Sequence, residues 1–271
     1  MSTALTALQG TLNFRDVGGL PLGDGGSIRS GVLYRADALA TLTEQGLATL
    51  ADSDIGTVFD LRTESERMRA PDRLPADASI ELIALPMLGG SMEAQAQRLM
   101  PADGTTPVLT PEMIAAVVAQ IPTITQLYIG ILQDAAPHFA AIARAIAAPA
   151  AEARPGVLVH CTAGKDRTGL ATAVVLEAVG ATREAIVADY TSTAPNLAGE
   201  FTDGIMRMFA SVGLPDMPAL RELATQSPAH AITSALDWVA AEHGDAGGFL
   251  RSGGLTDAEL TALRDRMRDA A

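Results

Sequence analysis

The sequence predicts an α/β fold, a central and mostly parallel sheet flanked by helices, within one domain covering 1–271. Two observations carry this reading. Short apolar runs at 55–61, 80–85 and 156–159 have the length of buried strands, and stretches with helical spacing of Leu, Ile and Ala lie between and after them. The 271 residues are also enough to bury a large core.

Residues 12–22 are punctuated by Gly18, Gly19 and Pro21, and Gly23-Asp24-Gly25-Gly26 marks a turn before a strand around Val32-Leu33-Tyr34. An N-terminal hairpin is expected there. Arg15 and Asp16 in it read either as partners of each other or of a loop backbone, or as plain surface charges. Thr43, followed by Glu44-Gln45 and by Leu47 and Leu50, gives an N-cap and a short amphipathic helix. The strand at 55–61 runs into Asp60-Leu61-Arg62-Thr63. Residues beyond the carboxyl end of a parallel strand line the ligand crevice, so Asp60 and Arg62 are supporting candidates, with capping of the next segment as the alternative. Glu64, Glu66, Arg67 and Arg69 read as a solvated helix surface.

Pro86 stops the strand at 80–85, and 89–110, rich in Gly, Ser and Pro, reads as a mobile surface insertion. A helix over 123–135 is expected to break at Pro137, with a second helix over 139–148. Beyond the strand at 156–159, 170–176 reads as a packed helix, and Thr182 opens another that reaches Asp189-Tyr190. Phe201, Ile205, Met208 and Phe209 have core-like helical spacing. The C-terminal part reads as a helix carrying a buried Trp238, a turn at Gly247-Gly248-Phe249-Leu250, and a capped last helix from Thr256.

The formal net charge of −13 opposes general binding to nucleic acid or to an anionic membrane, so a phosphorylated substrate has to be captured by a local positive cavity. One cysteine excludes an intrachain disulfide and implies no oxidising compartment. The start of the chain lacks a signal-peptide pattern, and the Ala-rich run at 139–151 is broken by Arg144 and Pro149, so no membrane insertion is expected. A cytoplasmic protein is the expectation, and oligomeric state is not legible. No metal-ligand cluster or cofactor motif is expected, with His138, His230 and His243 scattered.

The stretch His160-Cys161-Thr162-Ala163-Gly164-Lys165-Asp166-Arg167-Thr168-Gly169 carries the chemistry. A loop that leaves a strand and opens a helix aims unpaired N–H groups inward, and the helix dipole adds positive charge at the same point. Within it, Cys161 precedes Arg167 by six positions. A loop of that length curls until the guanidinium meets two phosphate oxygens while the sulfur lies in line with phosphorus. Because a free thiol is only a few per cent thiolate at neutral pH, the amides, the helix terminus and Arg167 have to stabilise the anion. The backbone of Thr162, Ala163, Gly164 and Lys165 forms the cradle, with Gly164 free to take a positive φ. Thr168 is placed to hydrogen-bond the leaving sulfur, and His160 to orient the thiolate. A buried structural cysteine beside an unrelated arginine is the plainer alternative.

This stretch resembles the phosphate-binding loop of the cysteine-dependent protein tyrosine phosphatases, in the Gly-Lys-Asp-Arg-Thr-Gly form of an atypical bacterial subgroup. Asn13-Phe14-Arg15-Asp16-Val17-Gly18-Gly19 and Leu33-Tyr34-Arg35-Ala36 are similar to that subgroup too. The resemblance implies hydrolysis of phosphomonoesters through a phosphocysteine, on phosphotyrosine proteins and, in several members, on phosphoserine, phosphothreonine and phosphoinositides. It implies a two-helix lid near 196–235, loop bracing by Tyr190 and Asn196 as an alternative to core packing by Tyr190, and, as in the subgroup, export by a non-classical route as an alternative to the cytoplasm. The subgroup's aspartate after the strand at 80–85 is missing, since Met87, Leu88, Gly89 and Gly90 stand there. Asp166 is then the best remaining acid, with loop bracing as its alternative role, and Lys165 adds a cation suited to a second phosphate. A dedicated phosphoinositide or inositol-phosphate phosphatase and a non-catalytic phosphate-binding module are the competing readings.

Overall fold

The computed structural model describes residues 5–76, 79–87, 110, 112, 114, 118, 119, 121–149, 153–211 and 213–269. Apart from Thr110, the expected insertion over 89–110 lies outside them. Five strands form the main sheet: β1 (Arg15–Asp16), β3 (Leu33–Ala36), β4 (Ile55–Asp60), β5 (Glu81–Ala84) and β6 (Gly156–His160), in the order β1-β3-β6-β4-β5. All neighbours are parallel except β1 and β3, the expected N-terminal antiparallel pair. A small second sheet joins β2 (Ser27–Ile28) to β7 (Arg268–Asp269) and so ties the end of the last helix to the N-terminal region.

Side-chain alternation divides the core between the two faces of the sheet. Val157 and Val159 of β6 enter the larger cluster, and Leu158 enters a smaller one with Tyr34, Leu50 and Val58. The smaller cluster lies under α1 (Glu44–Asp52), which is capped by Thr43 as its sequence predicts. The larger is built around α3 (Ile124–Ala147) and α4 (Asp166–Ala178), with α5 (Arg183–Thr191), α9 (Ala229–His243), α10 (Ala246–Ser252) and α11 (Asp257–Met267) packed about them. The short helices α2 (Glu64–Arg69) and α6 (Thr193–Asn196) and the pair α7 (Glu200–Ser211) and α8 (Pro218–Thr225) are further α-helices among the described residues.

Two local expectations are corrected. Pro137 does not divide the helix: α3 runs unbroken for 24 residues. The missing N–H and the ring clash cost about 3 kcal/mol. On either side Leu127, Ile131, Leu132, Phe139, Ile142 and Ile146 are all buried, at about 1.5–3 kcal/mol each, so tertiary packing outweighs the proline. The segment Gly247-Gly248-Phe249-Leu250 is helical rather than a turn. Asp245 caps it by accepting from the Gly248 N–H at 2.5 Å, and a Cβ on Gly248 would stand 2.1 Å from the His243 carbonyl, so glycine here allows close approach. Trp238 is half-buried against the core.

The Ala136 carbonyl, one residue before Pro137, packs directly on Gly253, where a Cβ would lie 2.0 Å away. Gly253→Ala is therefore expected to destabilise the fold by about 2 kcal/mol, since backbone has to move to make room. Urea denaturation of the two proteins checks this, with an unchanged midpoint as the contrary result.

Candidate active site

The site lies where three parallel strands end together. Ala36 and Asp60 are both register partners of His160, so the segments leaving β3, β4 and β6 converge on the loop from Cys161 to Arg167. Asp166 is the first residue of α4, whose N-terminus closes the loop.

Successive loop carbonyls are held from outside. The Thr162 carbonyl accepts from the Ala38 N–H at 3.1 Å and the Ala163 carbonyl from Asn13 Nδ2 at 3.1 Å. The Gly164 carbonyl accepts from Asn13 Nδ2 at 3.1 Å and Arg35 Nη2 at 2.8 Å. In a planar trans peptide the N–H points opposite to the C=O. The N–H groups of Ala163, Gly164 and Lys165 are thereby turned toward the loop interior, as an anion cradle requires. Gly164 has a φ of 64°, and a Cβ there would meet the Ala36 carbonyl at 2.3 Å, so both conformation and space demand glycine.

Asp189 organises these outer braces. Its carboxylate receives Arg15 Nε at 2.6 Å and Arg35 Nη1 at 2.5 Å. Arg15 in turn donates to Asn13 Oδ1 at 2.5 Å, which also accepts from Asn196 Nδ2 at 3.2 Å. Burial pushes the Asp189 carboxyl up, but the charges of Arg35 and Arg15 outweigh it and hold it below the usual carboxylate range. Arg15 is lowered to about 10, by burial first and then by Arg35, and stays charged at neutral pH. Asp16 does not pair with Arg15; it accepts the Gly18 and Gly31 N–H groups, each at 2.8 Å.

Beneath Cys161 lies a buried group of four charged or ionisable side chains. Arg62 donates to both oxygens of Asp60 at 2.9 Å and lies 2.8 Å from Asp72 Oδ2, which is itself 3.2 Å from His160 Nε2. His160 Nδ1 faces the Cys161 carbonyl at 3.3 Å. Burial alone would raise the Asp72 carboxyl, yet His160 and Arg62 bring it down. Asp60, Asp72 and His160 offer atoms within 4.8 Å of one another, as a metal site would, but the Arg62 guanidinium already pairs with both carboxylates. Asp60, Arg62 and His160 are thus brought together next to Cys161. Asp72 has no sequence signature; only the fold brings it here.

Glu66 corrects the reading of 64–69 as a solvated face. Its side chain is 10% exposed and grips Arg167 end-on, with Nη1 to Oε2 at 2.7 Å and Nη2 to Oε1 at 2.6 Å. Thr162 Oγ1 donates to the same carboxylate at 2.5 Å, and so does the Thr63 N–H at 2.8 Å. The signal was present as the capping box from Thr63 to Glu66, which fixes the acid at the start of α2. The other Nη1 hydrogen goes to the Leu61 carbonyl at 3.2 Å. Among the described residues Nε–H and the second Nη2–H have no acceptor, and they lie on one edge of the guanidinium, as bidentate phosphate binding needs. Burial would lower the Arg167 pKa, but the Glu66 hydrogen bonds and the charges of Cys161, Glu66 and Asp166 drive it upward.

Cys161 is 3% exposed at the floor of the loop. Thr168 Oγ1 is buried without a hydrogen-bond partner among the described residues, as a hydroxyl kept for sulfur would be. Lys165 is 1% exposed. Its ammonium donates to Asp166 Oδ1 at 2.7 Å, to the Leu223 carbonyl at 3.1 Å and to the Gln226 carbonyl at 3.0 Å. Asp166, 27% exposed, also accepts from Tyr128 at 2.8 Å. Tyr190 reaches the loop indirectly, through a 2.6 Å hydroxyl contact with Tyr128 and by packing on Gly169, where a Cβ would lie 3.1 Å from its ring. A nucleophile, a bidentate cation edge, inward amides and a carboxyl group therefore share one loop, the set required to bind a phosphoryl group, attack it and protonate its leaving group.

Burial pushes Glu66 up, but the Arg167 hydrogen bonds and charge and the two threonine donors bring it down to about 2. A depressed folded-state pKa adds stability that is complete above the unfolded carboxylate value of about 4.3 and is lost as pH falls toward the folded value. Glu66→Gln is expected to cost on the order of 3 kcal/mol at neutral pH. Denaturant titration over a pH series checks this, with a gap between the proteins that closes from about pH 4.3 downward.

A family model described as the tyrosine phosphatase family matches residues 6–269. The chain is 31% identical over 292 aligned residues to the triple specificity protein phosphatase PtpB of Mycobacterium tuberculosis, covering 96% of this chain and 98% of the relative. It is 28% identical to a tyrosine-protein phosphatase of Nostoc commune, over 87% of this chain and 76% of that one. The crystal structure of TpbA from P. aeruginosa aligns with 84% of this chain and 89% of its own at 15% identity and a TM-score of 0.32, too distant a likeness to inform the site. With its mostly parallel sheet and a match over nearly its whole length, the chain belongs to the tyrosine phosphatase family and is a phosphatase.

Proposed function

We propose that the protein hydrolyses phosphotyrosine in proteins through a phosphocysteine, with phosphoserine, phosphothreonine and phosphoinositides as further substrates. The observation that carries this is the inward-turned amides at 163–165 together with the edge of Arg167 left without an acceptor among the described residues, on the loop that carries Cys161. The Cys161 thiolate attacks phosphorus, while Arg167 and the amides hold the equatorial oxygens. Asp166 protonates the departing oxygen as its bond to phosphorus breaks. Water then attacks phosphorus and loses a proton to the Asp166 carboxylate, the S–P bond breaks to release phosphate and the Cys161 thiolate, and Thr168 donates to that sulfur. The thiolate supplies the nucleophile, so the reaction calls for no metal hydroxide.

Substrate breadth rests on the name of the Mycobacterium tuberculosis relative, a triple specificity phosphatase, and on Lys165 beside the acid. In this reading α7 and α8 form a lid over 196–235. The Leu223 and Gln226 carbonyls occupy the Lys165 ammonium, and a second phosphate on a substrate takes their place.

The test is turnover of phosphotyrosine and phosphoserine peptides and of phosphoinositides with no metal added. Cys161→Ser is expected to lower kcat by about a thousandfold or more on every substrate. Asp166→Asn is expected to lose about a hundredfold on phosphotyrosine peptide, the usual range for a general acid. Undiminished turnover by Cys161→Ser would contradict the covalent route, and tight binding of phosphate by wild-type protein without any turnover would favour a binding module.

A further inference from the structure

Two helices meet at the carboxyl group of Asp166, the α4 that carries it and α3, and a third, α5, reaches it through α3. Tyr128 reaches it from α3, with its hydroxyl 2.8 Å from Oδ1, and Tyr190 on α5 reaches Tyr128 at 2.6 Å. Both rings are buried and meet edge-on. Lys165 Nζ is on the same oxygen, Oδ1, at 2.7 Å. Among the described residues no donor is placed on Oδ2.

We infer that Tyr128, steered by Tyr190, is a positioning residue for the proton donor: its hydroxyl anchors Asp166 Oδ1, so that the transferable proton resides on Oδ2. This rests on Asp166 being the acid. Two donors on one carboxyl oxygen occupy its lone pairs and leave the other to carry hydrogen. As the P–O bond breaks, the Oδ2 proton moves to the leaving oxygen and negative charge grows on the carboxylate. The bond from Tyr128 to Oδ1 then becomes charge-assisted and strengthens, so it favours the transition state over the ground state. Tyr128 keeps its own proton throughout. Burial, and then the charge of Asp166, raise its pKa well above the ordinary phenol value, which makes it a fixed donor over the working pH range. Tyr190 is raised as well, by burial first, and does not take that proton.

The inference separates from simple packing by its dependence on the leaving group. Tyr128→Phe keeps the ring and its edge-on contact while deleting the donor. With a phosphotyrosine peptide, whose leaving group needs a proton, kcat is expected to fall about tenfold. With an activated nitrophenyl phosphate, whose leaving group departs as the anion, it is expected to fall less than about twofold. Tyr190→Phe should show the same selectivity more weakly, and Tyr128→Phe combined with Asp166→Asn should lose little beyond Asp166→Asn alone. An equal fall on both esters, or no fall on the peptide, overturns the role of Tyr128 if Asp166→Asn is itself selective. If Asp166→Asn is not selective, the acid assignment fails and this inference fails with it.

Discussion

The buried carboxylate of Asp189, shared between Arg15 and Arg35, is the interaction on which the rest of the site depends. It is too far from Cys161 in the hydrogen-bond chain to touch a phosphate, yet it fixes two arginines, one that touches the loop and one that holds a residue that does. Arg35 holds the Gly164 carbonyl directly, and Arg15 holds Asn13, which takes the Ala163 and Gly164 carbonyls. Each carbonyl drawn outward turns an N–H inward. A peptide carbonyl aimed at a bound phosphate would repel it, so the orientation of three peptide planes decides whether this loop attracts or rejects an anion. Losing Asp189 would leave two guanidiniums close together without their counter-charge, and such uncompensated charges are costly in a protein interior.

Charge balance follows the same pattern throughout the site. The chain carries a net charge of −13, and its site cations are paired with acidic side chains: Arg15 and Arg35 with Asp189, Arg62 with Asp60 and Asp72, Lys165 with Asp166, Arg167 with Glu66. The local positive cavity expected from composition is therefore not an excess of basic residues. It is one guanidinium edge without an acceptor among the described residues, a set of inward amides and the N-terminus of α4, aligned in a largely buried site where dipoles count for more than in water. Such a site discriminates by geometry, since an anion gains little until it reaches the floor of the loop.

Much of the fold and part of the site were legible in the sequence. The strands at 55–60 and 156–160 announce themselves by apolar runs, and the loop by Cys161, Gly164 and Arg167 at fixed offsets, because both are local properties. The N-terminal motifs around Asn13 and Arg35 stood out, but their targets did not: Asn13 acts on carbonyls 150 and 151 residues away. Glu66, Asp72 and Tyr128 were missed as site residues for one physical reason. Each lies on a segment whose own pattern is satisfied by another explanation, a capping box, a polar connection or an apolar helix face. Their roles arise only when the helices dock. Pro137 misled because its local cost of about 3 kcal/mol was judged without the burial that surrounds it.

The most direct measurement of this account is acid quenching of the wild-type protein during turnover of a phosphotyrosine peptide, followed by mass spectrometry of its proteolytic fragments. A phosphoryl group on the fragment containing Cys161, absent without substrate and absent in Arg167→Ala, is the predicted result. An unmodified Cys161 fragment under demonstrated turnover, or a phosphoryl group on any other residue, would contradict it.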